Sequence, residues 1–175
     1  MTITVRPVTA DNADALLLPN QPFARFGHFH VTRDERGWQH SETLDAQPTT
    51  QTFPEEGYKL ADIDAAGFAL AAYDGTTCVG LATFEWECNR FVYLADLKVN
   101  SDYRRAGIGS QLLDAAKPVA REHGCQGMST IAQGSNLAAN RFYLKYGFQI
   151  GGLETFRYEF TSAKGESDIH YWLAL

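Results

Sequence analysis

The chain of 175 residues is long enough for one domain with a full core, and its 45% hydrophobic and 21% charged residues suit a globular protein in water. Its 15 Lys and Arg against 21 Asp and Glu give a net charge of −6, so it lacks the basic face that nucleic-acid binding requires. No apolar run approaches the ~18 residues of a membrane span, and no secretory h-region opens the chain. Cys78, Cys88 and Cys125 lack C-x-x-C spacing, so neither zinc nor a disulfide framework is expected, and a reducing cytoplasm is the expected compartment.

Ile3 to Val8 alternates like a short strand, and Asp11 to Leu18 has a helix pattern with Asp11 as cap and Pro19 as stop. GHFHVTRDERGWQHSETL reads as a hairpin around Asp34–Gly37, and QPTTQTFPEEGYKLAD as a polar surface loop. GFALAAY and CVGLATFEWE are strands joined by an Asp-Gly turn, where glycine accepts positive φ without a Cβ clash. Asn89–Arg90 makes a second turn, and FVYLADLKV is a third, nearly all-apolar strand suited to a central position.

A helix pattern then runs from Gly107 to His123, with Ile108, Leu112, Ala115, Ala116 and Val119 on one stripe. Pro118 within it cannot donate to the carbonyl of Asp114, which predicts a kink or an early end. GMSTIAQ is a further strand, and Ser135 or Asn136 caps a second helix that stops at Gly147. FQIGGLETFRYEF and DIHYWLAL close the chain as strands. The order predicts a single mixed α/β (α+β) domain over residues 1–175.

The stretch LKVNSDYRRAGIGSQLL carries the chemistry. It fails the Walker A template because no lysine follows the glycines, and it fails the dinucleotide fingerprint because Leu112 stands at the third glycine. Its physics still favours an anion. A helix starting near Gly107 exposes unpaired backbone N–H groups and the positive end of its dipole. Gly107 and Gly109 remove Cβ atoms from the approach, and Arg104 and Arg105 add full charge. Glycines for a tight turn and arginines on a solvated face are the alternative.

Arg104-Arg105-Ala106-Gly107-Ile108-Gly109 also matches R/Q-x-x-G-x-G/A. With LADLKV before it and NLAANRFYLKYGF after it, the region resembles the GNAT superfamily of acetyl-CoA-dependent N-acetyltransferases. That resemblance implies a GNAT fold, with a mixed, mostly antiparallel central sheet flanked by helices. It also implies that the loop from Arg104 to Ser110 receives the coenzyme A pyrophosphate, that the backbone of Leu97, Lys98 and Val99 pairs with the pantetheine, and that Asn136, Ala139 and Tyr143 contact the coenzyme.

Pro22-Phe23 with Trp38, Val79-Gly80, Asn89-Arg90, Gly151-Gly152 with Glu154-Thr155, and Tyr171-Trp172 extend the resemblance to streptothricin acetyltransferases. The implied acceptor is a small-molecule cationic amine. Residue spacing, charge and hydropathy lead to no expected metal, nucleic-acid or membrane partner, and a monomer or a homodimer, with the aromatic C-terminal strand as its interface, is expected. The chain departs from that group in three places. Ala95-Asp96 stands where those enzymes carry Glu-Asp, Ile131 stands where they carry a glutamate, and residues 45–66 hold only Asp45, Glu55, Glu56, Asp62 and Asp64 as acids.

For the chemistry, Asp96 is the first candidate base, since a carboxylate in an otherwise apolar strand needs a partner or a purpose; a structural carboxylate is the alternative. Glu85 and Glu87 share one face of the preceding strand, and with Tyr171 they are candidate acceptor-binding residues. Tyr143 is the candidate that stabilises and protonates the departing thiolate, with helical-core packing as its alternative. His28 and His30 share a face if 27–31 is a strand, but no third ligand has metal spacing. Two rival functions remain: an acyl-CoA binder or sensor without efficient catalysis, and an acetyltransferase for peptide or protein amines.

Overall fold

The computed structural model describes residues 2–175. The chain is a mixed α/β protein whose mostly antiparallel sheet is flanked by helices. Its residues group into two compact units. One holds the chain to Gln21, Thr52–Met128 and Ala174–Leu175, and the other holds Pro22–Gln51 and Ser129–Leu173.

In the first unit, β1 (Ile3–Pro7), β4 (Gly67–Asp74), β5 (Thr77–Trp86) and β6 (Phe91–Val99) are neighbours in that order, each pair antiparallel. The Asp-Gly and Asn89–Arg90 turns fall where the sequence puts them. α2 (Ile108–Glu122) packs on β4, β5 and β6 through Ile108, Leu112, Leu113, Ala116 and Ala120. Gly80 makes that approach possible: a Cβ there would lie 3.0 Å from Ile108 and 3.3 Å from Leu112.

The buried stripe of α2 is rotated from the predicted one. Leu113 and Ala120 are enclosed, while Ala115 and Val119 are only partly so. The helix also runs through Pro118 rather than ending there. Pro118 is exposed, so the break it makes in the backbone ladder lies on the water-facing side of the helix, where the loss is smallest. Near the start of the chain, a short 3₁₀ helix (Ala10–Leu17) follows Thr9 instead of Asp11, and the Asn12 side chain accepts the Thr9 N–H at 2.7 Å.

In the second unit, β2 (Phe23–Asp34) and β3 (Gly37–Gln51) form the predicted hairpin. It is longer than expected, because Gln47 to Gln51 extends β3 instead of joining the polar loop. Residues 41–50 are all exposed, so the inside–outside alternation that marks a strand is missing there. The ladder to β2 holds this end, not burial. The end of the predicted loop runs into α1 (Leu60–Ala66), in the first unit, which no periodicity signalled.

β7 (Gly127–Gln133), β9 (Asp168–Ala174) and β8 (Gln149–Glu154) are neighbours in that order. β8 stops at Glu154, and residues 156–165 form successive turns instead of the predicted strand through Phe160. Phe156 and Phe160, whose aromatic character suggested a strand, are exposed. α3 (Leu137–Tyr146) is capped by Asn136, whose side chain accepts the Ala139 N–H at 3.1 Å, and it ends at Gly147 as predicted.

Candidate active site

In the first unit, the β5–β6 ladder shifts register between Thr83 and Phe84. Thr83 pairs with Asp96 and Phe84 with Leu94, leaving Ala95 as the extra residue of a bulge. Ala95 is exposed, and Asp96 turns to the half-buried side. Three groups surround it. Lys98 Nζ lies 3.4 Å from Asp96 Oδ2 and 2.7 Å from Glu56 Oε2. Asn20 Nδ2 donates to the other Glu56 oxygen at 2.8 Å. Tyr58 directs its hydroxyl toward Thr83 and Asp96, and its ring sits 5.4 Å from Lys98 Nζ.

Among the described residues, Asp96 Oδ2 is buried without a donor in hydrogen-bonding geometry. Burial raises the Asp96 pKa above the ordinary carboxylate range; Lys98 opposes the rise and Glu56 adds to it. Burial acts on Glu56 in the same direction, but hydrogen bonds from Asn20 and Lys98 outweigh it, so Glu56 titrates below its usual value. The two carboxyls are thereby pushed apart: Glu56 is held ionised, and Asp96 is the one disposed to take a proton. Burial, then the nearby Asp96, pushes the Tyr58 phenol well above its usual value.

Beyond β6, the predicted anion loop begins. Arg105 and Gly107 both have left-handed backbones, with φ of 63° and 80°. Gly107 caps α2 without any side-chain acceptor, and the first intrahelical bond at this end runs from Gln111 N to Gly107 O at 3.0 Å. Ile108, Gly109 and Ser110 thus present amide N–H groups that precede the helical ladder. A Cβ at Gly107 would meet nothing within 4 Å, so its α hydrogen faces open space. The donor set, a run of backbone amides beside exposed cationic side chains, fits a pyrophosphate.

The two arginines divide the work. Arg105 is exposed, whereas Arg104 turns its guanidinium back to the carbonyls of Val99, at 3.2 Å, and Gln21. Gln21 Oε1 accepts the Ser101 N–H at 2.6 Å, so the loop is braced from two sides. Glu85 and Glu87 are solvent-exposed at the end of β5 and are not part of the Asp96 cluster.

In the second unit, Tyr143 is 7% exposed and packs its ring against Phe148 and Tyr171. Tyr171, expected to meet the acceptor, is instead fully buried, and its hydroxyl donates to Asn140 Oδ1 at 2.6 Å. Asn140 Nδ2 in turn donates to the carbonyls of Gln133 and Asn136, so a buried amide locks α3 to the strand before it. Tyr171 therefore supports the face that carries Tyr143. Tyr171→Phe leaves Asn140 Oδ1 without its donor and should destabilise the protein by about 1–3 kcal/mol. Urea unfolding measures this, and unchanged stability would show that the bond contributes nothing.

Glu56, Tyr58 and Asn140 are the site neighbours that the sequence did not single out. Glu56 and Tyr58 lie in the stretch read as a surface loop, and Asn140 sits in mid-helix with no distinguishing pattern. His28 and His30 do share a strand, with rings 6.4 Å apart. Among the described residues no group of three or more His, Cys, Asp or Glu side chains is placed to hold a metal ion. Among them, too, no helix is long and apolar enough to cross a membrane.

Residues 32–148 match the acetyltransferase (GNAT) family. The chain belongs to that family and is an acetyl-CoA-dependent N-acetyltransferase. It is 28% identical over 141 residues to streptothricin acetyltransferase A of Bacillus subtilis, covering 80% of this chain and 82% of the relative. It is 25% identical to the streptothricin acetyltransferase of Streptomyces lavendulae, over 97% and 93% of the two chains. The fold superposes with a TM-score of 0.89 on a Bacillus anthracis protein assigned as a streptothricin acetyltransferase and crystallised with acetyl coenzyme A. That match is 21% identical over 99% of this chain and 100% of the other.

Proposed function

We propose that the protein transfers the acetyl group of acetyl-CoA to a primary amine of a small cationic acceptor, streptothricin-like or otherwise lysine-like, by direct attack. The observation that carries this reading is the bulge at Ala95, which puts a buried, proton-accepting Asp96 directly before the Leu97–Val99 backbone. The similarity to two streptothricin acetyltransferases supports the choice of acceptor.

Acetyl-CoA, when bound, supplies an activated thioester. The amides opening α2, with Arg105, hold its pyrophosphate, and Arg104 braces the loop around it. The Leu97–Val99 backbone holds the pantetheine as an added strand would be held, and Asn136 and Ala139 contribute at the start of α3. The Leu97 N–H stabilises charge developing on the carbonyl oxygen. A lysine-like amine with a pKa of about 10.4 is neutral to only a few parts in ten thousand at pH 7, so freeing its lone pair costs about 4–5 kcal/mol. Asp96 takes that proton, and Lys98 and Glu56 hold Asp96 in place. Three free cysteines suit the reducing cytoplasm in which such a donor is available.

Tyr143 donates to the departing sulfur. A thiolate of pKa about 8.5 is already a competent leaving group beside a phenol of about 10, so a hydrogen bond precedes full proton transfer. Tyr143→Phe should therefore lower kcat by about 10- to 100-fold, at the low end of general acid–base contributions, while acetyl-CoA affinity holds. An unchanged kcat would remove Tyr143 from the mechanism. The overall reading is tested by incubating the protein with acetyl-CoA and a panel of amines while following free thiol. Failure to bind acetyl-CoA by calorimetry would sink it.

A further inference from the structure

Lys98 is a buried cation, its side chain only 10% exposed. Its surroundings form a cage suited to an alkylammonium. Glu56 Oε2 accepts from Nζ at 2.7 Å, Asp96 Oδ2 lies at 3.4 Å, and the Tyr58 ring faces the ammonium with its centroid at 5.4 Å. A desolvated ammonium needs such partners, carboxylates for its charge and an aromatic face for its remaining surface. The wall of the cage is braced from behind. Asn20 Nδ2 donates to Glu56 Oε1 and to the Pro54 carbonyl, each at 2.8 Å. All of these groups belong to the first unit.

The cage thus already holds an alkylammonium, and that ammonium is the chain's own. Lys98 balances the charge of Glu56, and Asp96 is left for the proton of the reacting amine. A second cation carried by the acceptor would find Glu56 neutralised and would be repelled by Lys98 itself. Glu85 and Glu87 stand exposed and outside the cluster, where an ion pair contributes little.

We propose that Lys98 is a specificity-determining residue: by filling this cage itself, it selects acceptors whose only cation is the amine that is acetylated and disfavours those that bear a second ammonium near it. This rests on the amine-acetylation reading above and narrows the cationic acceptor to one with a single positive charge.

The test compares 1,5-diaminopentane with 5-aminopentan-1-ol, which share the reacting amine and the carbon chain and differ in the second ammonium. For the wild-type enzyme, kcat/KM on the diamine, halved for its two equivalent amines, should be no higher than on the amino alcohol. Lys98→Ala empties the cage, and the diamine-to-amino-alcohol ratio should then rise by about tenfold or more, the scale of a hydrogen bond to a charged group. Both rates are expected to fall because Asp96 loses a neighbour, but that loss is common to the two acceptors and cancels in the ratio. Lys98→Arg, which keeps a cation in the cage, should hold the wild-type ratio, and Glu56→Gln added to Lys98→Ala should abolish the gain. If thermal denaturation shows the alanine variant unfolded, Lys98→Met, which keeps the buried stem, takes its place. A wild-type preference for the diamine, a ratio unchanged in the folded variant, or a gain that survives Glu56→Gln would each overturn the proposal. If neither amine is acetylated, the acetyl-transfer reading fails for this class of acceptor, and calorimetry of 1,5-diaminopentane decides the role of Lys98 separately. Binding to the Lys98 variant about tenfold or more tighter than to the wild type supports it. Equal or weaker binding overturns it.

Discussion

Asp96→Asn is expected to lower kcat by about 100- to 10,000-fold, the usual contribution of a general base, while acetyl-CoA affinity and the melting temperature at pH 7 are kept. The stability half of this expectation follows from linkage. The folded-state pKa of Asp96 is raised, with burial as the main cause. A group of that kind contributes stability that is fully present below its unfolded pKa and is lost as pH rises through the folded value. Above the folded pKa of Asp96 its ionised form is therefore a net strain on the fold, and a neutral isostere relieves it. Lys98 still has Glu56 at 2.7 Å in the variant. Tm at pH 7 should be unchanged or higher, and the advantage over wild type should shrink as pH falls through the folded pKa of Asp96.

The same shift sets the pH–rate profile. The rising limb that reports Asp96 should lie above the ordinary carboxylate range and vanish in Asp96→Asn. A variant that loses stability along with activity would show that Asp96 is a structural carboxylate. A variant that keeps its rate would hand the role of base to another group. Glu56 behaves oppositely: its lowered pKa contributes stability that is present above its unfolded value of 4.5 and lost as pH falls through the folded one.

The second large effect is expected at the loop. Gly107→Val should raise the acetyl-CoA Kd by about 10- to 100-fold, measured by calorimetry. At φ of 80° an L residue costs about 1–2 kcal/mol, and a β-branched one more, so the loop either bears strain or abandons the conformation that presents the α2 amides. The new side chain would also occupy the open space over Gly107. Gly124→Val is the matched control. Gly124 has a φ of 91°, and a Cβ there would likewise meet nothing within 4 Å, but it lies past the other end of α2. Its variant should lose similar stability and keep acetyl-CoA affinity. If both variants bind equally well, the loop does not hold the coenzyme.

Much of the first unit was legible because its signals are local. Asp74-Gly75 and Asn89-Arg90 are turn residues for a backbone reason, and the runs between them are apolar because both faces of β4 and β5 are covered. RRAGIG was legible for the same reason: helix-start amides, glycine and arginine lie within six consecutive residues. Where backbone pairing alone sets the conformation, the local signal fades. The end of β3 is polar on both faces and is held by the ladder to β2. Residues 156–165 carry aromatic side chains without the burial that usually accompanies them in a strand.

The chain's sequence by itself determined an anion-binding loop, because phosphate recognition is written in contiguous backbone chemistry, and acetyl-CoA as the donor followed from the family resemblance of the motifs around it. It also named Asp96 and Tyr143, one by its polarity in an apolar strand and one by its place in a family motif. What surrounds them was decided only by the tertiary structure. Glu56 reaches Lys98 across 42 residues, and Tyr171 reaches Asn140 across 31. Burial and neighbouring charge come from such distant pairs, and they determine which of two similar carboxyls titrates high and which low.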